Sequence, residues 1–340
     1  MPIEVVPFVA AHLDAAAKLL AVRHRIDRDR MPELPAEFGE PTTARAAIES
    51  LYGAADTDGW TALWDGQLAG FLIGKRQVFG EASIEALFLD TKAVSIPFTG
   101  YAARADAAET IYRTLYAAAA DRWVAAGFLS HSISTTIDHA GGEPWFSLGF
   151  GRRFGHGIRA LNASENRPEP PLPPTFSIRR AGPAARDAVF NVFAEGVRFH
   201  TVTPIFLPYL AEAVESHRAK IEGWLADPAV ATWVAESAGE VVGMVQMHPA
   251  EGHVDDGIRP ANSVYLFEGH VNPGARGRGI GSALVERGLA WAREAGYAVC
   301  VVDWFTANPL SSSFWPRRGF VPFAAQLARR IDPRVSQSNG

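Results

Sequence analysis

At 340 residues the chain is long enough for two hydrophobic cores, and its 48% hydrophobic and 20% charged residues are those of an ordinary globular protein. A formal net charge of -5 argues against a general nucleic-acid binder, and a single cysteine, Cys300, excludes a disulfide framework and a cysteine-rich zinc site. No stretch approaches the ~18 consecutive apolar residues of a membrane span, and the opening residues lack the basic and apolar regions of a secretory leader, so a cytoplasmic protein is expected.

In chain order, residues 3–8 predict a strand and 13–24 a helix, followed by helical residues 36–51. Residues 60–63 and 68–75 predict a hairpin around Asp65-Gly66, a tight-turn pair. Residues 83–90 and 91–97 read as strands. Residues 108–126 predict a long helix, with Ile111, Leu115, Ala118 and Trp123 broadly on one side. A strand at 129–136 follows. The run 152–156 reads as a solvated loop. His131, Asp138, His139 and His156 match no strong metal-ligand spacing, so no metal is expected.

The run Asn166-Arg-Pro-Glu-Pro-Pro-Leu-Pro-Pro-Thr175 holds five prolines in nine residues. It can continue neither a helix nor a central strand, and forms a stiff spacer. The expected division is 1–165, a linker at 166–175, a second domain at 176–331 and a polar tail at 332–340.

Beyond the linker the order repeats. Residues 176–180 predict a strand, 184–195 and 209–225 helices, and 231–237 with 240–248 a hairpin at Ala238-Gly239. Residues 263–271 predict a strand and 279–295 a helix with Leu284, Val285, Gly288, Leu289 and Ala292 inward. A buried strand at 298–304, a short helix at 311–317 and a last strand from Phe320 complete the copy. Cys300 is expected inside the buried strand.

The two copies share signals at offsets near half the chain length. Trp291 and Gly296 echo Trp123 and Gly127, Trp315 and Gly319 echo Trp145 and Gly149, and Gly239 and Gly243 echo Gly66 and Gly70. They differ at one place. Arg276-Gly277-Arg278-Gly279-Ile280-Gly281 should have a partner near 106–111, which reads Asp-Ala-Ala-Glu-Thr-Ile. The second copy alone has a glycine-rich turn opening a long helix. Such a turn lets phosphates approach the backbone, and the first helical N–H groups favour an anion. No Lys-Ser/Thr follows the last glycine, so this is not a Walker loop.

The run 276–281 resembles the Arg/Gln-x-x-Gly-x-Gly/Ala signature of the GCN5-related N-acetyltransferase (GNAT) superfamily. Asn308, Ser311, Phe314, Trp315, Gly319 and Phe320 resemble that family's second motif, at the right distance. The resemblance implies an α/β fold of two tandem GNAT-like domains, each a mixed central sheet flanked by helices. The N-terminal copy would be degenerate and non-catalytic. It further implies an acetyl-CoA site formed by Val271, Arg276, Gly277, Arg278, Gly279, Ile280, Gly281, Ser282 and Asn308, with direct attack of a primary amine on the acetyl group.

Direct transfer needs a proton acceptor. Glu268, on the strand before the glycine-rich turn, is the first candidate, and the same carboxylate reads equally as a surface or substrate-binding charge. His270, two residues on, is the second, and His248 a weaker third. The family's tyrosine acid falls at Trp315, whose indole cannot protonate a thiolate. Arg198, His200, Asp303 and Phe305 are candidates for the acceptor pocket, with core or surface packing as the other reading. The expected partner is a small-molecule amine, with no membrane or nucleic acid, and the protein a monomer or homodimer. Two other functions fit the residues: a non-catalytic acyl-CoA sensor or scaffold, and aminoacyl transfer from charged tRNA, against which the net charge and the intact loop speak.

Overall fold

The tight-turn pair Asp65-Gly66 adopts positive φ at both residues (53° and 73°), as a two-residue hairpin turn requires. It joins β2 (Thr57–Trp64) to β3 (Gln67–Val78). From this hairpin a computed structural model, describing residues 3–162, 170–250 and 257–337, builds one continuous sheet. Its N-terminal half contains β1 (Glu4–Pro7), β4 (Lys92–Ile96), β5 (Tyr101–Ala103), β6 (Ser130–Thr136) and β7 (Gly151–Ala160). The C-terminal half contributes β8 (Phe176–Arg180), β9 (Ala231–Ser237), β10 (Glu240–Pro249), β11 (Ser263–Val271), β12 (Val299–Phe305) and β13 (Val321–Arg330). The strand order is β1-β2-β3-β4-β6-β13-β7-β12-β11-β10-β9-β8, with β5 paired to β3.

The centre of that order is an exchange. β13, the last strand of the second half, lies between β6 and β7 of the first, antiparallel to both. β12 in turn pairs along its whole length with β7, from Val299 opposite Ala160 to Phe305 opposite Phe154. The run read as a solvated loop at 152–156 is therefore part of a central strand. Gly155 within it and Gly151 and Gly157 beside it hid it, because glycine weakens strand propensity. Gly155 and Gly157 make room for Trp304: a Cβ at Gly157 would sit 2.9 Å from that indole, and one at Gly155 3.1 Å from it.

Helices cover both faces. α1 (Leu13–Arg30) and α2 (Pro41–Gly53) pack on Phe71, Ile73 and Ala102. α3 (Ala108–Ala125) and α4 (His139–Phe146) pack on the opposite side, against Leu72, Val94 and Ile133. The second half repeats this, with α5 (Arg186–Phe199) and α6 (Ala211–Ala226) on Val234 and Met244. α7 (Ile280–Glu294) and α8 (Pro309–Arg317) pack on Val245, Val264 and Val302. Arg159 on β7 and Glu286 on α7 form a bidentate pair, 2.8 and 3.2 Å, buried to 1% and 3% exposure. This ties the central strand of one half to the long helix of the other.

Expected and observed elements agree except at a few places. Residues 83–90 form a 3₁₀ turn over Ile84–Leu87 and not a strand. Leu87 instead leaves the first half and is buried in the α5–α6 core. The short β5 and α4 carry weak patterns and were not anticipated. Cys300 is fully buried in β12, as expected. Residues 163–169, which include the first four of the proline-rich stretch, and 338–340 of the tail lie outside the described residues. Among the described residues no helix is long and apolar enough to cross a membrane, and none of the histidine and acid groups clusters in threes as a metal site would need.

Candidate active site

β11 and β12 run parallel and pair only from Ser263–Val299 to Leu266–Val302. Beyond Leu266 they part, while β11 stays on β10 as far as Val271 opposite Gly243. The split opens a cleft of about 610 Å³ between the strand ends, α5 and the start of α7.

The glycine-rich turn forms one end. Gly277 and Gly279 have φ of +75° and +82°, conformations that strain a residue with a Cβ. Gly279 is the N-cap of α7, and the first intrahelical bond runs from Ala283 N to Gly279 O at 3.0 Å. The preceding amides have no helical acceptor. Gly277, Gly279, Ile280, Gly281 and Ser282 all line the cleft. Arg276 lines it too, but its Nε donates to Val271 O at 2.7 Å and its guanidinium lies 4.5 Å from the Phe199 ring centre. It clamps the turn to the strand end. Arg278 is exposed beside Phe176 and is not in the lining. Asn308 caps α8, its Oδ1 accepting from Leu310 N at 3.1 Å and Ser311 N at 3.5 Å. Arg317 and Arg318 also reach the cleft, adding positive charge that the motif reading had not assigned.

At the other end stand Glu268, His270 and His200. A bulge decides their direction. The β10–β11 register slips between the Gln246–Glu268 and Met247–Leu266 pairs, so Phe267 is the extra residue. Leu266 and Gly269 face α7: a Cβ on Gly269 would lie 3.5 Å from Leu266 and 3.7 Å from Trp315. Phe267 and Glu268 are thereby both turned to the α5–α6 face. Burial pushes the Glu268 carboxyl up to about 8. Burial lowers His270 to about 4, helped by Arg276 and His200, and burial alone lowers His200 to about 4. Both imidazoles are neutral at pH 7. His248 hydrogen-bonds Gln246 at 2.9 Å and burial lowers it to about 4 as well.

The remaining acceptor candidates lie outside the lining. Asp303 accepts a hydrogen bond from Tyr265 Oη. Phe305 packs on Phe154 and Phe88, with His200 at its edge 5.2 Å away. Arg198 pairs with Glu195 at 3.6 Å and lies over Tyr209. Trp315 lines the cleft and packs edge-on against Phe314 and Phe320.

The first half holds the same cleft, closed. Matching Gly70 opposite Ala103 with Gly243 opposite Val271 puts Tyr101 where Gly269 stands. Ile111, Leu115, Ala119 and Trp123 are buried on α3 as Ile280, Leu284, Gly288 and Ala292 are on α7, which puts Tyr112 at Gly281. The tryptophan echo thus slips by one residue. Ala17, Leu20, Ala21 and His24 match Phe190, Phe193, Ala194 and Val197, which puts Arg23 at Gly196. All three glycines line the open cleft. Their counterparts touch one another: Arg23 lies 4.2 Å from the Tyr101 ring centre, and Tyr101 is edge-on to Tyr112 at 5.4 Å. Trp145, the counterpart of Trp315, stacks on Tyr112 at 5.3 Å. Arg23 also donates to the carbonyls of Tyr101 and Phe98.

Comparison with known proteins agrees with this geometry. Residues 199–320 match the model of the Acetyltransferase (GNAT) family. The chain is 33% identical over 99 residues to N-acetyltransferase 8 of Homo sapiens, covering 29% of this chain and 42% of that one. It is 30% identical over 136 residues to N-acetyltransferase 8B of Rattus norvegicus, covering 38% and 60%. The chain thus spans about half the length of these curated relatives. Over nearly the whole chain the fold resembles a GCN5-related N-acetyltransferase from Sphaerobacter thermophilus, with a TM-score of 0.58, 14% identity, and 97% and 96% of the two chains covered. It also resembles a tandem GNAT protein from the clavulanic acid biosynthesis pathway, with a TM-score of 0.53, 12% identity, and 98% and 99% covered. The chain carries the GNAT-superfamily acetyltransferase fold, as two such units in tandem.

Proposed function

We propose that the second half binds acetyl-CoA and transfers its acetyl group to a primary amine. The observation that carries this reading is the split between β11 and β12 opening onto the free helix start at Gly279. Residues 276–282 suit a pyrophosphate: an αL-glycine turn runs into a helix N-terminus there, and Gly281 and Gly269 keep side chains of their own out of the cleft, the nearest neighbours to a Cβ at either lying 3.5 Å or more away. Arg317 and Arg318 add charge for phosphate groups. When bound, acetyl-CoA supplies an activated thioester.

Glu268 is the proposed base. A carboxyl held near 8 can take the proton of an alkylammonium and leave the nitrogen nucleophilic. The amine nitrogen then bonds to the acetyl carbon, the carbon–sulfur bond breaks and the thiolate leaves; the second proton on that nitrogen goes to solvent as the amide forms. Trp315 gives that thiolate no proton, and its moderate pKa lets it depart as an anion and protonate from solvent. His270 and His200, neutral and in the lining, orient the acceptor. The first half is non-catalytic under this reading, since Arg23, Tyr101 and Tyr112 occupy the space a cofactor would need.

Trp315 in place of tyrosine favours a second reading, a sensor that binds acyl-CoA without turnover. Calorimetry with acetyl-CoA tests the site itself, comparing wild type with Gly279→Glu and Gly281→Glu. Micromolar binding lost in both variants is expected. Absence of binding to the folded wild type would remove the proposal. Binding without thiol release across a broad set of amines would favour the sensor.

A further inference from the structure

The 3₁₀ turn Ile84–Leu87 belongs to the connection between β3 and β4 of the first half, yet it packs on the second. Leu87 is buried inside the α5–α6 core, and Ile84 and Phe88 pack against the same core. Positions 84, 87 and 88 share one side of a helical turn, so one short segment presents three apolar side chains together. Hydrogen bonds fix both of its ends: Ser216 Oγ on α6 donates to Ala82 O at 2.9 Å, and the Arg153 guanidinium on β7 donates to Phe88 O. The second half returns the contact. Ile258, in its β10–β11 connection, is buried with Leu34 and Phe98 of the first half, and a Cβ on Gly257 would meet Thr99 at 2.8 Å. Each copy thus sends the same connection across to the other.

The α5–α6 core supports the acceptor end of the cleft. α5 brings Gly196 and Phe199 into the lining and ends at His200, which also lines it. The Nδ1 of His200 is buried with no hydrogen-bond partner among the described residues. Ring contacts surround that imidazole instead, with Phe199 at 5.9 Å and Phe305 at 5.2 Å. Phe305 in turn packs on Phe154 at 4.4 Å and on Phe88 at 6.3 Å, both from the first half. With no hydrogen bond at Nδ1 to define it, the position of the His200 ring depends on the close packing behind it.

Resting on the acetyltransferase reading above, we propose that segment 82–90 of the first half completes the acceptor end of the second half's site, Leu87 fixing α5 against α6 and Phe88 holding His200 in place through Phe305. None of residues 82–90 is in the cleft lining. Leu87 and Phe88 are therefore positioning residues, acting on the acceptor through groups they pack against. The glycine-rich end, made by residues 276–282 and α8, lies at the other end of the cleft, so acetyl-CoA binding is expected to be independent of this segment. A small misplacement of an orienting side chain is felt in transfer even where the fold is unchanged.

The test uses the full-length protein carrying isotope-labelled histidine. Phe88→Ala removes the ring beside Phe305, and Phe88→Tyr keeps it. The ring resonance of His200, assigned by its loss in His200→Gln, is expected to move or broaden in Phe88→Ala and to keep its wild-type position in Phe88→Tyr. His24, packed on Phe38 and Phe98 in the first half, should not move in either, which shows the fold intact. Calorimetry should give an acetyl-CoA affinity within about threefold of wild type in both. Thiol release with n-butylamine, spermidine and glucosamine gives the functional readout: for whichever wild type turns over fastest, Phe88→Ala is expected to raise the amine KM about tenfold and Phe88→Tyr to restore it. If Phe88→Ala moves His24 as well, the milder Phe88→Leu takes its place under the same criteria. An unmoved His200 resonance, or an amine KM within about twofold of wild type, overturns the proposal. Where wild type turns over none of the three, the His200 resonance decides. Failure of wild type to bind acetyl-CoA would remove the acetyltransferase reading, while a moved His200 resonance would still show that the first half holds that end of the cleft.

Discussion

Transplanting the first half's plug into the second tests the reading of the three glycines. Gly281→Tyr installs the counterpart of Tyr112. The nearest neighbours of a Cβ there are Val271 Cγ2 at 3.6 Å and the Phe314 ring at 3.7 Å, ordinary contact distances. The fold should therefore accept the change, and replacing a glycine in the first turn of α7 favours the helix by up to ~1 kcal/mol. The ring must then lie in the cleft, where its counterpart lies against Tyr101 and Trp145. A ligand needing that space has to displace it, an overpacking cost of about 1–3 kcal/mol, or roughly 5- to 150-fold in affinity. Gly269→Tyr, the counterpart of Tyr101, should act in the same direction, and the double variant should abolish binding. Calorimetric titration with acetyl-CoA, beside a thermal melt, reads both effects. Affinity within threefold of wild type in the double variant, with an unchanged melt, would refute the idea that these glycines make the cleft.

Three further outcomes follow from the structure. Glu268, held near 8, is about one-tenth ionised at pH 7 and about nine-tenths at pH 9, so turnover should rise nearly tenfold over that range, and Glu268→Gln should flatten the profile and lower kcat by about 10²- to 10⁴-fold; a profile inflecting near pH 4.5 in wild type would exclude the role. Arg159→Met strands the buried Glu286 carboxylate and should cost about 3–5 kcal/mol in a denaturant melt, with much of it recovered by the Arg159→Met, Glu286→Met double variant; a single-variant cost below about 1 kcal/mol would show the pair is dispensable. Because β13 sits between β6 and β7, and β7 against β12, residues 1–165 and 176–340 expressed apart should each fail to fold, and the intact chain should melt in one calorimetric transition; two resolved transitions would contradict this.

The sequence by itself determined the local elements and the duplication. Strand and helix periods, the Asp65-Gly66 and Ala238-Gly239 turns, and the glycine-rich start of α7 are written in short windows, where backbone sterics and side-chain period suffice. The glycine-rich end of the candidate site was legible for the same reason: Gly277, Gly279 and Gly281 alternate just where α7 begins, and the amides of a helix start have no acceptor within the helix.

What needed the tertiary structure lies where distant residues decide. Gly155 read as part of a loop, because only Trp304, far along the chain, shows why a strand has a glycine there. Gly196 and Gly269 carried no motif, and their meaning appears only when Arg23 and Tyr101 are found in the matching places of the other half. Arg198 and Asp303, plausible pocket residues by type, are held by Glu195 and Tyr265. The orientation of Glu268 rests on a one-residue bulge, and with an exact period of two its neighbour Phe267 would have faced the opposite side. The exchange of β7 and β13 has no local signal at all, since pairing partners in a sheet are chosen by long-range packing and not by the strand's own residues.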